Sequence, residues 1–315
     1  MNDDPTFEDV LVAAERIHGH VHRTPVMTSA AVDRISGARI HCKCENLQKV
    51  GAFKARGATN AVLSLDEEAA GRGVATHSSG NHAAALAFAA SIRGVRAHVV
   101  MPSSAPPVKR SAVEGYGAEI TQCEPTLAAR ETTLEAVVER TGATFIHAYD
   151  NPLVIAGQGT ASLELVTDVP DLDIVMAPVG GGGLMSGTAI AVTESRPDIT
   201  IWGAEPGGAD DAHRSLRDGT LYPSIEPRTI ADGLLTSLSD RTFRILGERI
   251  EGILTVSEEN IVRAMRLLWE RMKLVVEPSG AVPLAAVLEH PEHFAGRRVG
   301  LILSGGNVDL DHLPW

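Results

Sequence analysis

Short apolar runs that end in glycine-, serine- or proline-rich turns and lead into segments of helical period recur from Val74 to Leu303, and this alternation constrains the fold most. The first series places a strand at Val74–His77 before a helix over residues 83–92. A strand over 97–101 precedes a helix over 108–115, and one over 119–122 precedes a helix over 128–140. A second series begins after the polar turn Tyr149-Asp150-Asn151-Pro152, with a helix over 161–166, a strand over 173–179 and a helix over 184–192. It continues with a strand over 199–204, a short helix over 209–216 and a strand over 253–256. Helices over 258–271 and 280–288 and a strand over 299–303 close it. Strands alternating with helices of this length imply βαβ crossovers and parallel sheets covered on both faces, an α/β fold. At 315 residues the chain exceeds what one core of roughly 250–300 residues comfortably holds, so two lobes with a cleft between them are expected.

Ahead of these series, apolar residues at Phe7–Ile17 repeat at helical spacing, Thr24-Pro25 breaks the chain, and residues 40–45 alternate as a strand. That strand delivers the chain to Gly51-Ala52-Phe53-Lys54-Ala55-Arg56-Gly57-Ala58, where the apolar run at 61–63 marks a helix whose first turn carries Lys54. An amine in a partly dry pocket loses its proton more easily and becomes a nucleophile towards carbonyls. The same residue types also fit a surface lysine beside Lys49 and Arg56.

Ligands in open α/β sheets bind outside the carboxyl ends of the strands, and three loops fall at such ends. Gly180, Gly181, Gly182 and Gly183 precede a helix opening at Leu184, so several backbone N–H groups and the helix dipole can converge on a phosphate. A dinucleotide fingerprint fits less well, because the near-match at Gly181-Gly182-Gly183-Leu184-Met185-Ser186 ends on serine and no acidic residue closes the next strand until Glu205. Ser78-Ser79-Gly80-Asn81-His82 sets hydroxyls, a carboxamide and an imidazole at a helix start, which suits a carboxylate or a simple N-cap. Ser304-Gly305-Gly306-Asn307 follows the last strand and by itself reads as a turn.

Taken together, the stretches around Lys54, Ser78 to Ala83, Gly180 to Gly187, Ile230-Ala231-Asp232-Gly233 and Leu303 to Asn307 resemble, in order, the fold type II pyridoxal-phosphate enzymes. Within that group the similarity is to the threonine/serine dehydratase and serine racemase branch, over residues 24–309. The resemblance implies a two-lobed fold of the tryptophan synthase beta type, with residues 1–45 and 149–315 in the large domain and 46–148 in the small one. It implies pyridoxal 5'-phosphate joined to Lys54 as a Schiff base, with Lys54 then serving as base on the substrate Cα–H. Phe53 would lie against the cofactor ring and Asn81 would bond its 3-oxygen. Gly180, Gly181, Gly182 and Gly183, with Leu184, would hold its phosphate, and Ser304 would face its ring nitrogen. Ser78, Asn81 and His82 would grip the substrate carboxylate, and Arg130 matches an arginine at the mouth of the site. Ser79 would be the second acid/base group that a racemase needs on the opposite face.

The stretch Glu205-Pro206-Gly207-Gly208-Ala209-Asp210-Asp211 resembles the branch's divalent-cation site, with Glu205, Asp211 and the Ala209 carbonyl as oxygen ligands for Mg²⁺, Mn²⁺ or Ca²⁺. An acidic helix start accounts for the same residues. Two departures from many relatives are Ala52, where serine is common, and Ala84, where glutamine is common, and the second puts control by ATP in doubt. The expected activity is a dehydratase (ammonia-lyase) acting on a β-hydroxy amino acid such as threonine or serine. The rivals are a racemase, a 3-hydroxyaspartate dehydratase and, from another class, a dinucleotide-dependent oxidoreductase or a silent binder.

Twenty-eight Lys and Arg against 40 Asp and Glu give a net charge of −12, which disfavours nucleic acid and anionic membrane as partners and leaves a small-molecule amino-acid substrate. The N-terminal stretch has no leader-like pattern and no apolar run spans a bilayer, so a cytoplasmic protein is expected, as a homodimer on the family pattern. Cys42, Cys44 and Cys123 lack the further ligands of a zinc site and read as packing thiols.

Overall fold

The computed structural model describes residues 4–78, 80–105 and 107–315. The chain opens with α1 (Phe7–Ile17), β1 (Val26–Met27), α2 (Ala30–Ser36) and β2 (Arg39–Lys43). Next come α3 (Lys54–Leu63), α4 (Glu67–Arg72), β3 (Val74–His77), α5 (Asn81–Arg93), β4 (Ala97–Pro102), α6 (Pro107–Gly115) and β5 (Glu119–Cys123). They are followed by α7 (Leu127–Thr141), β6 (Thr144–Phe145), α8 (Pro152–Asp168), β7 (Ile174–Pro178), α9 (Gly183–Ser195), β8 (Thr200–Pro206) and α10 (Asp211–Asp218). The last elements are α11 (Asp240–Arg249), β9 (Gly252–Val256), α12 (Glu258–Leu267), α13 (Pro278–Glu289), α14 (Pro291–Phe294) and β10 (Arg298–Ile302).

Two sheets result. The larger runs β1-β2-β10-β7-β8-β9 and is parallel except for the antiparallel edge strand β1. The smaller, wholly parallel, runs β5-β4-β3-β6. The α/β architecture with helices flanking parallel sheets is therefore the one expected.

The differences in detail have physical causes. The strand expected over 40–45 stops at Lys43, and Glu45–Leu47 turns into a 3₁₀ helix that carries the Glu45 carboxylate inward to Arg56. The helix expected over 161–166 runs the whole of Pro152–Asp168, begun by Asn151, whose side chain accepts from the N–H groups of Leu153 and Val154, with Pro152 in the first turn. Its glycines look like breakers but serve close packing, since a Cβ on Gly157 would stand 2.6 Å from Gly57 Cα. The helix expected over 258–271 ends at Leu267 and continues as a π turn, Leu268–Met272. The short helix expected at 209 starts at Asp211, after a 3₁₀ turn, Gly207–Ala209.

One ionic cluster ties α3 to the large sheet. Arg56 and Glu45 are both wholly buried, with Nε to Oε2 at 2.7 Å and Nη2 to Oε1 at 2.8 Å. The guanidinium also donates to both oxygens of Glu164 on α8, at 2.8 and 2.9 Å, and Lys43 on β2 donates to Glu164 at 2.5 Å and to the Thr24 carbonyl at 2.7 Å. Two cations thus face two carboxylates. Burial alone would discharge Arg56 and raise Glu164. The Glu45 and Glu164 charges instead hold the guanidinium well above its usual range, and the Arg56 hydrogen bonds hold the Glu164 carboxyl below its own.

Removing one member strands the others. Arg56→Leu should lower unfolding free energy by about 3–5 kcal/mol, read from urea denaturation, because the wholly buried Glu45 loses its ionic partner and the partly buried Glu164 is left with Lys43 alone. As Glu164 titrates lower in the folded state than its ordinary 4.5, its contribution is full above that pH and is lost as pH falls through the lower folded value. A variant as stable as the native protein at pH 7 would show the cluster to be energetically idle.

Candidate active site

The turn that sets Lys54 in place is held by the loop after β10. Val50 and Gly51 both adopt left-handed backbone, at φ 56° and 70°. Asn307 donates its side-chain amide to the Val50 carbonyl at 2.8 Å, Gly306 N–H donates to Gly51 O at 2.9 Å, and Phe53 N–H donates to Ser304 O at 3.0 Å. Ser304 to Asn307 read in isolation as a turn, yet this loop is the scaffold of the lysine. Lys54 then opens α3 and donates its ammonium to the Ala148 carbonyl at 2.8 Å, with the Phe53 ring centroid 5.1 Å away. Burial lowers its pKa from 10.5 to about 8.

The Ser78 to His82 loop joins β3 to α5, and Ser78 Oγ accepts from Gly80 N–H at 3.3 Å. Ser79 lies outside the described residues. Asn81, at the first position of α5, donates to Glu277 Oε1 at 2.9 Å and accepts from Asn307 at 2.9 Å. Its side chain is thereby pinned from two sides. Buried His82 bonds through Nε2 to the Ile146 carbonyl at 3.1 Å. A carbonyl only accepts, so the ring proton sits on Nε2. Burial, with the nearby Lys54 charge, lowers the imidazole to about 3, so Nδ1 is a bare lone pair, buried with no partner among the described residues. The ring therefore has no donor for a carboxylate. The residue's backbone N–H, with that of Asn81 in the open first turn of α5, does.

Glu277 was not singled out from the sequence. It caps nothing by side chain, sits just before Pro278 and α13, and is buried. Its second oxygen accepts from Asn307 N–H at 3.1 Å, and burial with the Asp232 charge raises its pKa to about 7. A buried acid beside a polar loop is a signal only once the fold brings residues 81, 277 and 307 together.

Gly180 to Gly183 follow β7, and Gly182 caps α9 at φ 83°. A Cβ on Gly181 would lie 2.4 Å from the Tyr149 ring and one on Gly183 would lie 2.8 Å from Tyr149 Cβ. The loop thus owes its glycines to Tyr149 as much as to backbone freedom. The N–H groups of Gly183, Leu184 and Met185 precede the first intrahelical bond, from Ser186 to Gly182, and point a helix N-terminus into the loop. Tyr149 follows Ala148, so the glycine loop and the Lys54 amine share one neighbouring segment. Ser304, nearly buried, adjoins it through Phe53. Arg130 stands half-exposed on α7, where its charge bears on His77 rather than on Lys54.

The acidic candidate lies apart, beyond β8. Glu205 accepts from Ala212 N–H at 3.2 Å and His213 N–H at 2.8 Å, as a carboxylate at a helix start does. Burial, reinforced by Asp211, raises Glu205 to about 9, burial also raises Asp211, and Asp211 Oδ2 is buried with no partner among the described residues. Among those residues no group of three or more His, Cys, Asp or Glu side chains converges as a metal site, so a cation here would rest on two carboxylates and the Ala209 carbonyl. A cavity of about 620 Å³ is lined by Asn81, Ala84, Lys109, Asp232 and Asn307 among others, and adjoins the Asn81 side of the site.

Comparison with known proteins places the chain in a family. Residues 17–305 match the family described as pyridoxal-phosphate dependent enzyme. The chain is 51% identical over 311 residues to a beta-hydroxyaspartate dehydratase of Paracoccus denitrificans (strain Pd 1222), covering 99% of each. A solved serine racemase from Dictyostelium discoideum superposes with TM-score 0.93 at 49% identity, covering 97% of this chain and 99% of that one. A solved threonine deaminase from T.th. does so with TM-score 0.93 at 48% identity, covering 97% and 99%.

The depressed Lys54 value has a direct readout in protein freed of cofactor. Reductive methylation at Lys54, followed by peptide mass spectrometry across pH, should rise with a midpoint at about 8, since the amine is neutral above that value. A midpoint at the ordinary 10.5 would show that the pocket does not dry the amine.

Proposed function

The chain belongs to the pyridoxal-phosphate dependent enzymes, and from that membership we propose that it is an ammonia-lyase that dehydrates a β-hydroxy amino acid to a 2-oxo acid and ammonia. The observation that carries this reading is the desolvated Lys54 amine, held at Ala148 next to the segment that backs the glycine loop. Pyridoxal phosphate, when bound, supplies an electron sink for the bonds at the substrate Cα. The free N–H groups of Gly183, Leu184 and Met185 suit its phosphate, Phe53 suits its ring face, and Asn81, pinned by Glu277 and Asn307, suits its 3-oxygen. Ser304 offers the ring nitrogen a neutral hydroxyl, a milder partner than a carboxylate, which favours elimination over a long-lived carbanion. Ser78 and the backbone N–H groups of Asn81 and His82 would hold the substrate carboxylate. Lys54, neutral above about pH 8, would take the Cα proton and return it to the departing β-hydroxyl, so that the Cβ–O bond breaks with loss of water. The enamine that remains tautomerises and is hydrolysed to the 2-oxo acid and ammonia.

Racemisation is the second reading, favoured by similarity to the Dictyostelium serine racemase, and would engage Ser79. Assay of serine, threonine and 3-hydroxyaspartate for 2-oxo acid, with chiral chromatography on the same samples, separates the two. Lys54→Ala should abolish turnover and the cofactor's visible absorbance while the protein stays folded. Turnover surviving in that variant would remove Lys54 from the reaction.

The same reading divides the chain into residues 1–45 with 149–315, and 46–148, supported by the membership of the strands in the two sheets. It also makes the protein a homodimer, supported by the exposed apolar side chains of Leu47, Val275 and Trp315. None of the described helices is long and apolar enough to cross a membrane, which is compatible with a cytoplasmic site of action.

Glu205, Asp211 and the Ala209 carbonyl fit a hard divalent cation such as Mg²⁺, because all three are oxygen donors, the two carboxylates are buried and one of their oxygens is unpartnered among the described residues. The ion would stabilise the turn that starts α10. Excess chelator should lower the melting temperature, and Mg²⁺ or Mn²⁺ should restore it, because an ion bound only to the native state stabilises it by mass action. An unchanged melting curve would leave these residues as a helix start alone.

A further inference from the structure

Residues 147–150 touch both halves of the site, and one side chain sets their shape. Ala148 offers its carbonyl to the Lys54 amine at 2.8 Å. Tyr149 lays its ring 2.4 Å from where a Cβ on Gly181 would stand, and its own Cβ 2.8 Å from where one on Gly183 would stand. No strand or helix ladder fixes this stretch, because β6 ends at Phe145 and α8 begins at Pro152. His147 does so instead. Its Nδ1 accepts from Tyr149 N–H at 3.3 Å and from Asp150 N–H at 2.9 Å. The first of these donors shares a peptide group with the Ala148 carbonyl. In a planar trans peptide the N–H and C=O point opposite ways, so an N–H turned to His147 turns that carbonyl towards Lys54.

The ring is itself held for this task. Two donors at Nδ1 place its proton on Nε2, and burial lowers the imidazole to about 4, which keeps Nδ1 free to accept at neutral pH. Phe145 and Tyr149 pack edge-on against it at 5.6 and 4.6 Å. The far end of the turn is tied as well. Asp150 accepts from Arg241 on α11 at 2.5 Å, and the next residue, Thr242, lies 2.9 Å from where a Cβ on Gly182 would stand. The glycine loop is thus held between the turn and α11, with an ion pair joining the two. Asn151 shows that an amide oxygen can do what Nδ1 does, since its Oδ1 likewise accepts from the N–H groups two and three residues on, at 2.9 and 3.1 Å.

Resting on the reading of Lys54 and the glycine loop as one cofactor site, we propose that His147 is a positioning residue: through Nδ1 it aims the Ala148 carbonyl at the Lys54 amine and seats the Tyr149 ring on the glycine loop, so that one turn sets both. Two probes read the halves separately in the full chain freed of cofactor. Inorganic phosphate reports on the glycine loop by calorimetry. Pyridoxal, which has no phosphate, reports on Lys54 by borohydride fixation and peptide mass spectrometry. His147→Phe keeps an aromatic ring without the acceptor. His147→Asn puts an oxygen at the place of Nδ1, whereas His147→Gln puts its amide at the place of Nε2, away from the two N–H groups. The Phe and Gln variants should weaken both probes by about tenfold, the loss that unpaired N–H groups bring, and the Asn variant should keep both. Loss of one probe without the other, retention of both in His147→Phe, or retention in His147→Gln with loss in His147→Asn would overturn the proposal. Should His147→Phe not fold, the contrast between the two amides decides. Native protein that forms no 2-oxo acid from any hydroxy amino acid would defeat the lyase reading alone, because neither probe depends on turnover. Native protein that binds neither phosphate nor pyridoxal at Lys54 would sink the site reading and this proposal with it.

Discussion

Everything at the site depends on where α3 begins, and that is decided by the buried Arg56 two residues beyond the lysine. A guanidinium with four charge-assisted bonds to two carboxylates has few geometries open to it. Because Glu45 follows β2 and Glu164 lies on α8, satisfying Arg56 locks the helix to the large sheet from both sides. The close approach of Gly57 to Gly157 removes the remaining freedom, since neither helix can slide without opening a gap or a clash. Lys54 inherits this rigidity. Its amine can be dried without wandering to solvent, which a lysine on a loose loop could not sustain.

Burial acts on three groups at the site in chemically distinct ways. Lys54 is moved towards neutrality, His82 is fixed as a neutral ring with its proton engaged, and Glu277 is brought to about 7. Each is paired with a neutral partner, a carbonyl or an amide, rather than with an opposite charge. A salt bridge would have held each group ionised. The site therefore keeps its ionisable groups poised, while the ion pairs are spent one layer out, at Arg56.

Much of this was legible in the chain, and the boundary follows the range of the interactions. Strands with a short apolar run, the Lys54 turn and the four glycines declare themselves within ten residues, because backbone geometry there is set by neighbours in sequence. The role of His82 did not, because its ring proton is claimed by Ile146, far along the chain. Glu277 and Tyr149 escaped for the same reason, acquiring meaning only opposite Asn81 and against Gly181. The full length of α8 and the existence of α11 were hidden differently. Glycines used for contact looked like breaks in the first, and the polar Asp240–Arg249 run offered little apolar period in the second.

The pairing of β2 with β10 has a consequence for how the protein is made. β10 lies between β2 and β7 in the large sheet, so the slot beside β2 stays open until β10 has left the ribosome, after every other strand of both sheets. The small sheet, by contrast, draws all its strands from Val74 to Phe145 and can assemble early. In the interval β2 presents an edge of unpaired backbone N–H and C=O groups, the kind of surface that chaperones hold and that aggregates when left waiting.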